Sequence, residues 1–297
     1  MHGFLNINKA PGMTSFEVLK KIKKLIPAPK LGHLGTLDPM AEGVLPVAVG
    51  HATRLIEYME NSGKTYRAVM TLGGVSDTQD AWGNIKKTGR SSYRVEALQE
   101  ILAEFTGTIF QIPPMYSAVH HQGQRLYELA RQGVEVERSP RKIEIMSLRM
   151  LDREEDDDRQ PTVGLEIQCS PGTYIRTLCH DIGQRLGTGA YMSQLTRTRS
   201  GMFSINDALS LEELEQRKAD IPAWLMPLDY PLRHWPAVTL DNSEDILRVG
   251  NGNHIIIPAD LPTGMIRIYH PGGNLMAVAK TVSESGYRLA QPLKVFK

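Results

Sequence analysis

The sequence predicts an α+β protein whose mixed, mainly antiparallel central sheet is flanked by helices and followed by a small C-terminal β-barrel. Strand-like and helix-like segments alternate over residues 1–230, and many connections have the length expected between antiparallel neighbours. Prolines then cluster between 227 and 236, which is typical of a domain boundary. Beyond them, 237–297 carries short apolar runs separated by glycines, the pattern of a small barrel. We therefore predict two domains, 1–230 and 237–297.

The chain begins with a strand over residues 3–8 and a capped helix. Thr14 at the N-cap and Glu17 three residues later form a capping box, in which each side chain accepts a hydrogen bond from the other residue's backbone N–H. The apolar residues that follow at helical spacing predict the helix itself: Val18, Leu19, Ile22 and Ile26. After a glycine-rich loop we predict a buried strand over 44–49 and a helix over 53–60.

The middle of the chain is predicted as strands and helices in turn. Alternation over 64–72 predicts a strand, 76–83 an ordered loop, and helical spacing over 94–105 a helix. Prolines favour an extended backbone over 111–118. The remaining predicted elements here are a short helix over 125–131 and a hairpin of strands over 142–151 and 163–169 around an acidic turn, 154–158.

The last elements of the first domain surround a further helix, predicted over 173–186 because it follows Gly172 and stops at Gly187. A strand over 191–199 and a helix over 210–218 complete this domain. In the C-terminal domain we predict a helix over 242–249 and strands over 254–257, 264–270, 274–280 and 286–295.

The composition is that of an ordinary soluble globular protein. The 297 residues are 41% hydrophobic and 23% charged, and no apolar run reaches the length of a membrane span. The first residues lack the basic start and apolar core of a signal peptide. Cys169 and Cys179 are the two cysteines, too few for a disulfide framework. We therefore expect a cytoplasmic protein without membrane contact, and no metal site, since no Cys-x-x-Cys or His-x-x-x-His spacing occurs.

The stretch from Gly32 to Pro46 is the most distinctive part of the sequence. It contains one aspartate, Asp38, together with three glycines and two prolines, and it leads directly into an apolar strand. Glycine permits positive φ and close backbone approach, and Pro39 restricts the backbone of Asp38. Such a loop can hold a carboxylate rigidly at the mouth of a cleft. The Asp-Pro dipeptide alone is equally typical of a surface turn, so the dipeptide leaves both interpretations open.

Four patches in one order give the chain its resemblance to a known family. They are K-x-P-G-M-T-S from Lys9, the G-H-L-G-T-L-D-P loop, K-T-Y-R from Lys64 and G-T-Y-I-R-T-L from Gly172. The chain resembles the bacterial tRNA pseudouridine-55 synthases, and 237–297 resembles a PUA-type RNA-binding barrel. The resemblance implies the pseudouridine-synthase fold, isomerisation of uridine-55 in the T-loop of tRNA, and no cofactor.

The resemblance also assigns candidate site residues. Asp38 is implied to be the catalytic aspartate, Arg176 to pair with it, and Tyr66 to lie against the target base. His33, Tyr174 and Leu195 are implied substrate contacts, with His33 taking part in the rearrangement of the T-loop, and Lys9 and Lys64 are implied to lie near the site. Without the resemblance, Arg176 could equally be interpreted as part of a surface ion pair, and Leu195 as a core residue, rather than as site residues.

Three positions depart from the family pattern. Pro11 stands one position later than the usual Lys-Pro order, which could tilt Lys9. Leu34 replaces a small polar residue, and His120 stands where a lysine is common, so one phosphate contact could be weaker or pH-dependent. None of the three removes a catalytic group.

The implied chemistry matches the residue types. Cleavage of a glycosidic bond passes through cationic sugar character, which a neighbouring carboxylate can trap or stabilise. An arginine partner favours the charged form of that carboxylate. The residues alone leave open whether Asp38 is a nucleophile, an electrostatic stabiliser or a base.

Three other functions are compared with the isomerase. One is an RNA-binding or tRNA-folding protein with a secondary or lost catalytic role; another is a nucleoside hydrolase or glycosidase, which would need a second acid or a calcium-type cluster. The third is a related synthase that acts on ribosomal RNA with a guide, for which basic tails would be expected. The intact set of Asp38, Tyr66 and Arg176 favours the isomerase.

We expect tRNA as the partner, a monomer, and no obligatory protein partner. The residues expected to meet phosphates form three basic sets: Lys20, Lys21, Lys23, Lys24 and Lys30; Arg125, Arg131, Arg138, Arg141 and Lys142; and Arg176, Arg185, Arg197 and Arg199.

Overall fold

The computed structural model describes residues 1–27, 30–151, 161–284 and 286–296. Its strands in chain order are β1 (Gly3–Lys9), β2 (Leu31–His33), β3 (Glu42–Val49), β4 (Lys64–Leu72), β5 (Gly74–Ser76), β6 (Ile85–Lys87), β7 (Gly107–Gln111), β8 (His120–His121), β9 (Gln124–Arg125), β10 (Arg141–Met150), β11 (Thr162–Cys169), β12 (Ala190–Ser200), β13 (Phe203–Ser204), β14 (Ala237–Thr239), β15 (Ile255–Ile256), β16 (Met265–Tyr269), β17 (Leu275–Glu284) and β18 (Tyr287–Val295).

The helices are short to medium in length. The α-helices are α1 (Ser15–Leu25), α2 (Val95–Glu104), α3 (Leu126–Arg131), α4 (Ile175–Leu186), α5 (Leu211–Gln216), α6 (Ile221–Trp224) and α7 (Ser243–Gly250), and a ten-residue 3-10 helix covers Gly50–Met59. The predicted capping box at Thr14 and Glu17 is present on α1. No helix within the described ranges is long and apolar enough to cross a membrane.

The central sheet has nine strands in the order β1-β3-β12-β4-β11-β10-β7, with β2 on β3 and β13 on β12. The pairing of β12 with β3 is parallel and the others are antiparallel, which confirms the predicted mixed, mainly antiparallel sheet. Gly43 permits the parallel contact, because a Cβ there would lie 2.3 Å from the backbone oxygen of Arg197. The sheet thereby places β3, β12 and β4 side by side.

Both faces of the sheet are buried. On β1, Leu5 and Ile7 join the core cluster formed with α1, α2 and α4, whereas Phe4 points into a second cluster with the 3-10 helix. This follows from the two-residue alternation of a strand. The second cluster also contains Val278 and Phe296, so the C-terminal strands pack on this face of the first domain.

The C-terminal part forms its own five-stranded sheet in the order β14-β16-β17-β18-β15, curled as half a barrel. It has a separate core cluster around Ile266, Ile268 and Ala279, closed by α7. The predicted α+β fold class is confirmed by this arrangement. The boundary between 1–230 and 237–297 stays a prediction.

The structure differs from the sequence prediction mainly in short elements. The helix expected over 53–60 is a 3-10 helix that begins at Gly50, and α4 begins at Ile175 with Tyr174 as its N-cap. Two- and three-residue strands such as β2, β5 and β8 were not predicted, because so few residues carry no periodicity. The acidic turn at 154–158 lies outside the described residues.

Candidate active site

The loop between β2 and β3 presents Asp38. Its backbone is held on both sides of that residue: Ser15 Oγ accepts a hydrogen bond from Leu37 N (2.9 Å) and donates one to Leu37 O (3.2 Å), and the Gly12 N–H donates to Pro39 O (2.8 Å). Gly35 has φ of +86°, and a Cβ there would lie 3.3 Å from Lys64 Cε. The Asp38 side chain is 37% exposed. The loop is therefore a rigid support with its carboxylate open to a ligand.

Lys9 supports the same loop from below. Its side chain is fully buried, and Nζ donates to the carbonyls of Ala10 (3.0 Å), Met13 (2.7 Å) and Pro39 (3.2 Å). These contacts connect the end of β1 to the residue directly after Asp38. Pro11 therefore does not turn Lys9 away from the loop. Burial lowers the pKa of Lys9 to about 8, although the charges of Asp38 and Glu42 act in the opposite direction.

The lowered pKa of Lys9 predicts a pH-dependent contribution to stability. An unfolded lysine keeps its proton until about pH 10.4, whereas the folded Lys9 loses it near pH 8, so the unfolded state binds more protons between these values. Stability should therefore rise with pH in this window. Relative to Lys9→Met, wild type should gain about 2 kcal/mol in free energy of unfolding between pH 7.5 and 9.5, measured by urea denaturation. The control is Lys24→Met, at an exposed position: its difference from wild type in free energy of unfolding should not change with pH. If the difference for Lys9→Met is equally constant, the prediction is wrong.

Arg176 joins Asp38 to a second carboxylate. It lies in the first turn of α4 and is 4% exposed. Its Nε is 2.8 Å from Asp38 Oδ2, and its Nη1 is 3.6 Å from Asp80 Oδ2. Nη1 also donates to Thr78 O (3.3 Å), and Nη2 donates to Tyr116 O (3.0 Å). A guanidinium with this many fixed acceptors holds the Asp38 carboxylate in one orientation.

Asp80 is a site residue that the sequence analysis missed. It is 6% exposed, and its Oδ1 accepts hydrogen bonds from Thr78 Oγ1 (2.7 Å) and Trp82 N (3.0 Å). Its other oxygen faces Arg176. The sequence did predict an ordered loop over 76–83 that contains Asp80. Nothing in that loop indicates that Asp80 pairs with Arg176, because the two residues are far apart in the sequence.

Tyr66 and Leu195 come from neighbouring strands. In the β4–β12 pairing, Tyr66 is opposite Arg197 and Leu195 is opposite Ala68, and both Tyr66 and Leu195 are about 7% exposed in the main core cluster. Burial raises the pKa of Tyr66, and the charge of Arg197, opposite it on β12, acts against this rise.

His33 and Lys64 line an adjoining pocket of about 410 Å³ on the other side of the loop. Burial and the charge of Arg197 lower the pKa of both side chains. His33 Nδ1 is buried without a hydrogen-bond partner among the described residues. Leu34, one of the three departures, is buried in the second core cluster. This pocket is continuous with the loop that carries Asp38, through Gly35.

Tyr174 lies next to the site rather than on Asp38. It is the N-cap of α4, two residues before Arg176, and its backbone exchanges hydrogen bonds of 2.8 and 3.0 Å with the Gln111 side chain. The structure thus brings Asp38, Arg176, Tyr66 and Lys9 together and places His33 and Lys64 on the flank. Within the described ranges, no group of three histidine, cysteine or acidic side chains could hold a metal ion.

The family profiles match most of the first domain. The profile of the TruB family pseudouridylate synthase N-terminal domain matches residues 23–175, and that of the tRNA pseudouridylate synthase B C-terminal domain matches 176–233. Among similar proteins, tRNA pseudouridine synthase B of Syntrophomonas wolfei is 51% identical over 298 residues, covering 100% of this chain and 99% of that protein. The enzyme of the same name from Heliobacterium modesticaldum is 44% identical, covering 100% and 96%.

Solved structures agree with this assignment. An H/ACA RNP bound to a substrate RNA containing 2′-deoxyuridine has a chain that matches with a TM-score of 0.74 at 27% identity, covering 99% of this chain and 85% of that one. A Cbf5-Nop10-Gar1 complex matches with a TM-score of 0.73 at 29% identity, covering 99% and 84%. The resemblance predicted from the four sequence patches is confirmed: this chain belongs to the TruB family of tRNA pseudouridine synthases.

Proposed function

We propose that this protein isomerises uridine-55 in the T-loop of tRNA to pseudouridine, with Asp38 as the catalytic residue. The observation that carries the proposal is the ion pair of 2.8 Å between the partly exposed Asp38 carboxylate and the buried Arg176 guanidinium. Family membership supplies the reaction class, and this geometry supplies a carboxylate with a fixed cationic partner, held at an opening.

The reaction requires only groups that this site offers. The bond between C1′ and N1 of uridine breaks with its electron pair going to the base, which then turns and bonds to C1′ through C5. The C5 hydrogen leaves as a proton and N1 gains one, so the product is an isomer and no redox partner enters. A carboxylate beside C1′ stabilises or traps the positive sugar carbon. We assign this role to Asp38.

Tyr66 is proposed to receive the base. A uridine inside the T-loop must leave its stack to reach Asp38, at a cost of a few kcal/mol that is offset by contacts in the pocket. The Tyr66 ring offers a flat surface beside the Asp38 loop, and Leu195 continues that wall on the neighbouring strand. His33, at the edge of the adjoining pocket, is proposed to contact the rearranged loop of the RNA.

The exposed basic sets are proposed to bind the phosphates of the T-arm. On α1, Lys20, Lys21 and Lys24 are exposed on the side opposite the buried Val18 and Ile22. Arg125, Arg131, Arg141 and Lys142 are exposed as well. We further propose that the PUA-like part extends this contact, and that the protein acts in the cytoplasm as a monomer without an obligatory protein partner.

This interface predicts a steep salt dependence of tRNA binding. Each phosphate neutralised by lysine or arginine releases counterions, so log Kd should rise with log salt concentration with a slope of at least about 3. Filter binding between 50 and 200 mM salt measures it. Arg125→Gln combined with Arg131→Gln should lower the slope by roughly one to two. A slope near zero for the wild type would show that the basic sets do not contact the phosphates of the tRNA.

The direct test of the function uses an unmodified T-arm hairpin. After incubation with the purified protein, a chemical probe for pseudouridine should mark position 55 in each hairpin. A hairpin with cytidine at that position is the matched control. Pseudouridine at another position, or in none, would contradict the proposed substrate. A protein that binds the hairpin without modifying it would instead be an RNA-binding or tRNA-folding protein.

A further inference from the structure

Arg197 occupies the centre of the sheet beneath the site. It lies on β12, opposite Tyr66 of β4 on one side and Gly43 of β3 on the other. Its side chain is 0% exposed, and by volume it heads the fully buried side chains of the described residues. No motif in the sequence distinguishes it from the other arginines of this strand.

The Arg197 guanidinium joins the two ends of the loop that carries Asp38. Nε donates to Val44 O (2.7 Å), directly after the loop, while Nη2 donates to Gly35 O (3.0 Å) and Nη1 to Thr36 O (3.4 Å), just before Asp38. The acceptors lie on the loop and on β3, and the strand pairing of β2 with β3 ends before these residues. The guanidinium therefore sets the width of the loop.

Arg197 is also the cross-strand neighbour of Tyr66. The two residues are opposite each other in the β4–β12 pairing, and the charge of Arg197 acts against the rise that burial causes in the pKa of the Tyr66 phenol. The residue that spans the Asp38 loop therefore lies beside the residue proposed to receive the base.

Stability alone does not account for a charge at this position. Among the residues that the structure describes, Arg197 has no ion pair with a carboxylate; its hydrogen-bond partners are backbone carbonyls. Burying a charge without a counter-ion is costly, and an apolar side chain of similar volume often gives a fold that is equally stable. The forked donor geometry, rather than the burial, is what such a replacement would lose.

We propose that Arg197 is a positioning residue for the isomerisation, holding the loop that carries Asp38 at a fixed width beside Tyr66. The inference rests on the proposed function, because it takes Asp38 as the reacting group. Arg197 is fully buried, so it acts through the loop rather than on the RNA.

The test compares Arg197→Lys with the wild type on the T-arm hairpin. Single-turnover rate constants at saturating enzyme report the chemical step, and Kd is measured separately in an Asp38→Asn background. Arg197→Lys keeps the charge but loses the fork, and we expect a rate constant at least tenfold lower with Kd changed less than threefold. Urea denaturation of the same variant shows that it is folded under the assay conditions.

The controls separate this proposal from a general effect. Arg149→Lys, on β10 of the same sheet and paired with Glu166 at the surface, should leave the rate within twofold. A rate close to wild type, or a Kd that worsens as much as the rate, would overturn the proposal. Arg197→Gln is the second variant if the first does not fold. If neither folds even in the cold, Arg197 is a folding residue and the proposal is likewise overturned.

Failure of this proposal is distinguishable from failure of the proposed function. A wild-type protein that leaves the hairpin unmodified contradicts the function. A wild-type protein that modifies it, together with Arg197 variants of normal rate, contradicts only the role of Arg197.

Discussion

Asp38→Asn should abolish pseudouridine formation, lowering the rate by more than about a thousandfold, the scale seen when a principal catalytic group is removed. Asparagine has nearly the same shape and keeps one oxygen toward Arg176, whose Nε lies 2.8 Å from Asp38 Oδ2 in the wild type. The loop, held at Leu37 and Pro39, should therefore persist. What the variant loses is the negative charge beside C1′. Single-turnover assays with the unmodified hairpin measure the effect.

Binding provides the matching control for Asp38→Asn. The proposed phosphate contacts lie elsewhere, so Kd for tRNA should stay within a few fold of the wild-type value, and the melting temperature should change little. Asp207→Asn, an exposed residue in the 3-10 helix after β13, should leave both rate and Kd unchanged. Turnover that survives in Asp38→Asn would refute the catalytic role of this carboxylate.

The second large effect is expected for Arg176→Met. This substitution leaves Asp38 and Asp80 without the cation that now lies between them, at 2.8 and 3.6 Å. Asp38 then has no partner to orient its carboxylate, and the buried Asp80 has no counter-charge. Breaking the buried pair of Arg176 and Asp80 costs about 3–5 kcal/mol of stability. We expect the rate at neutral pH to fall roughly a hundredfold, in line with the loss of one preorganised electrostatic group.

Measurements on folded protein distinguish this explanation for Arg176→Met from simple unfolding. The rate should stay low well below the melting temperature of the variant, where circular dichroism shows that it is folded. Arg185→Met is the control on the same helix: its pair with Glu104, at 2.9 Å, is exposed, so it adds little to stability. An Arg176→Met protein that is folded and fully active would show that Asp38 needs no cation.

The Asp38 loop shows what can be predicted from residues that are close together in the sequence. Its glycines and prolines identified a rigid turn with a single aspartate, and Thr14 with Glu17 identified the start of α1, because these signals depend on residues a few positions apart. Long elements such as β4, α2 and α4 were likewise predictable from the spacing of their apolar residues. The four ordered patches were sufficient to predict the family, which the comparisons confirm.

The rest of the site depended on the tertiary structure. Asp80 reaches Arg176 across 96 positions of sequence, and Arg197 reaches Gly35 across 162. Such contacts follow from the order β3-β12-β4 and its register, which are properties of the whole sheet rather than of any segment. Sequence by itself thus determined which carboxylate is presented and on what kind of loop. Only the folded sheet decided which buried cations hold that carboxylate in place, because their partners are brought together by strand pairing and not by proximity along the chain.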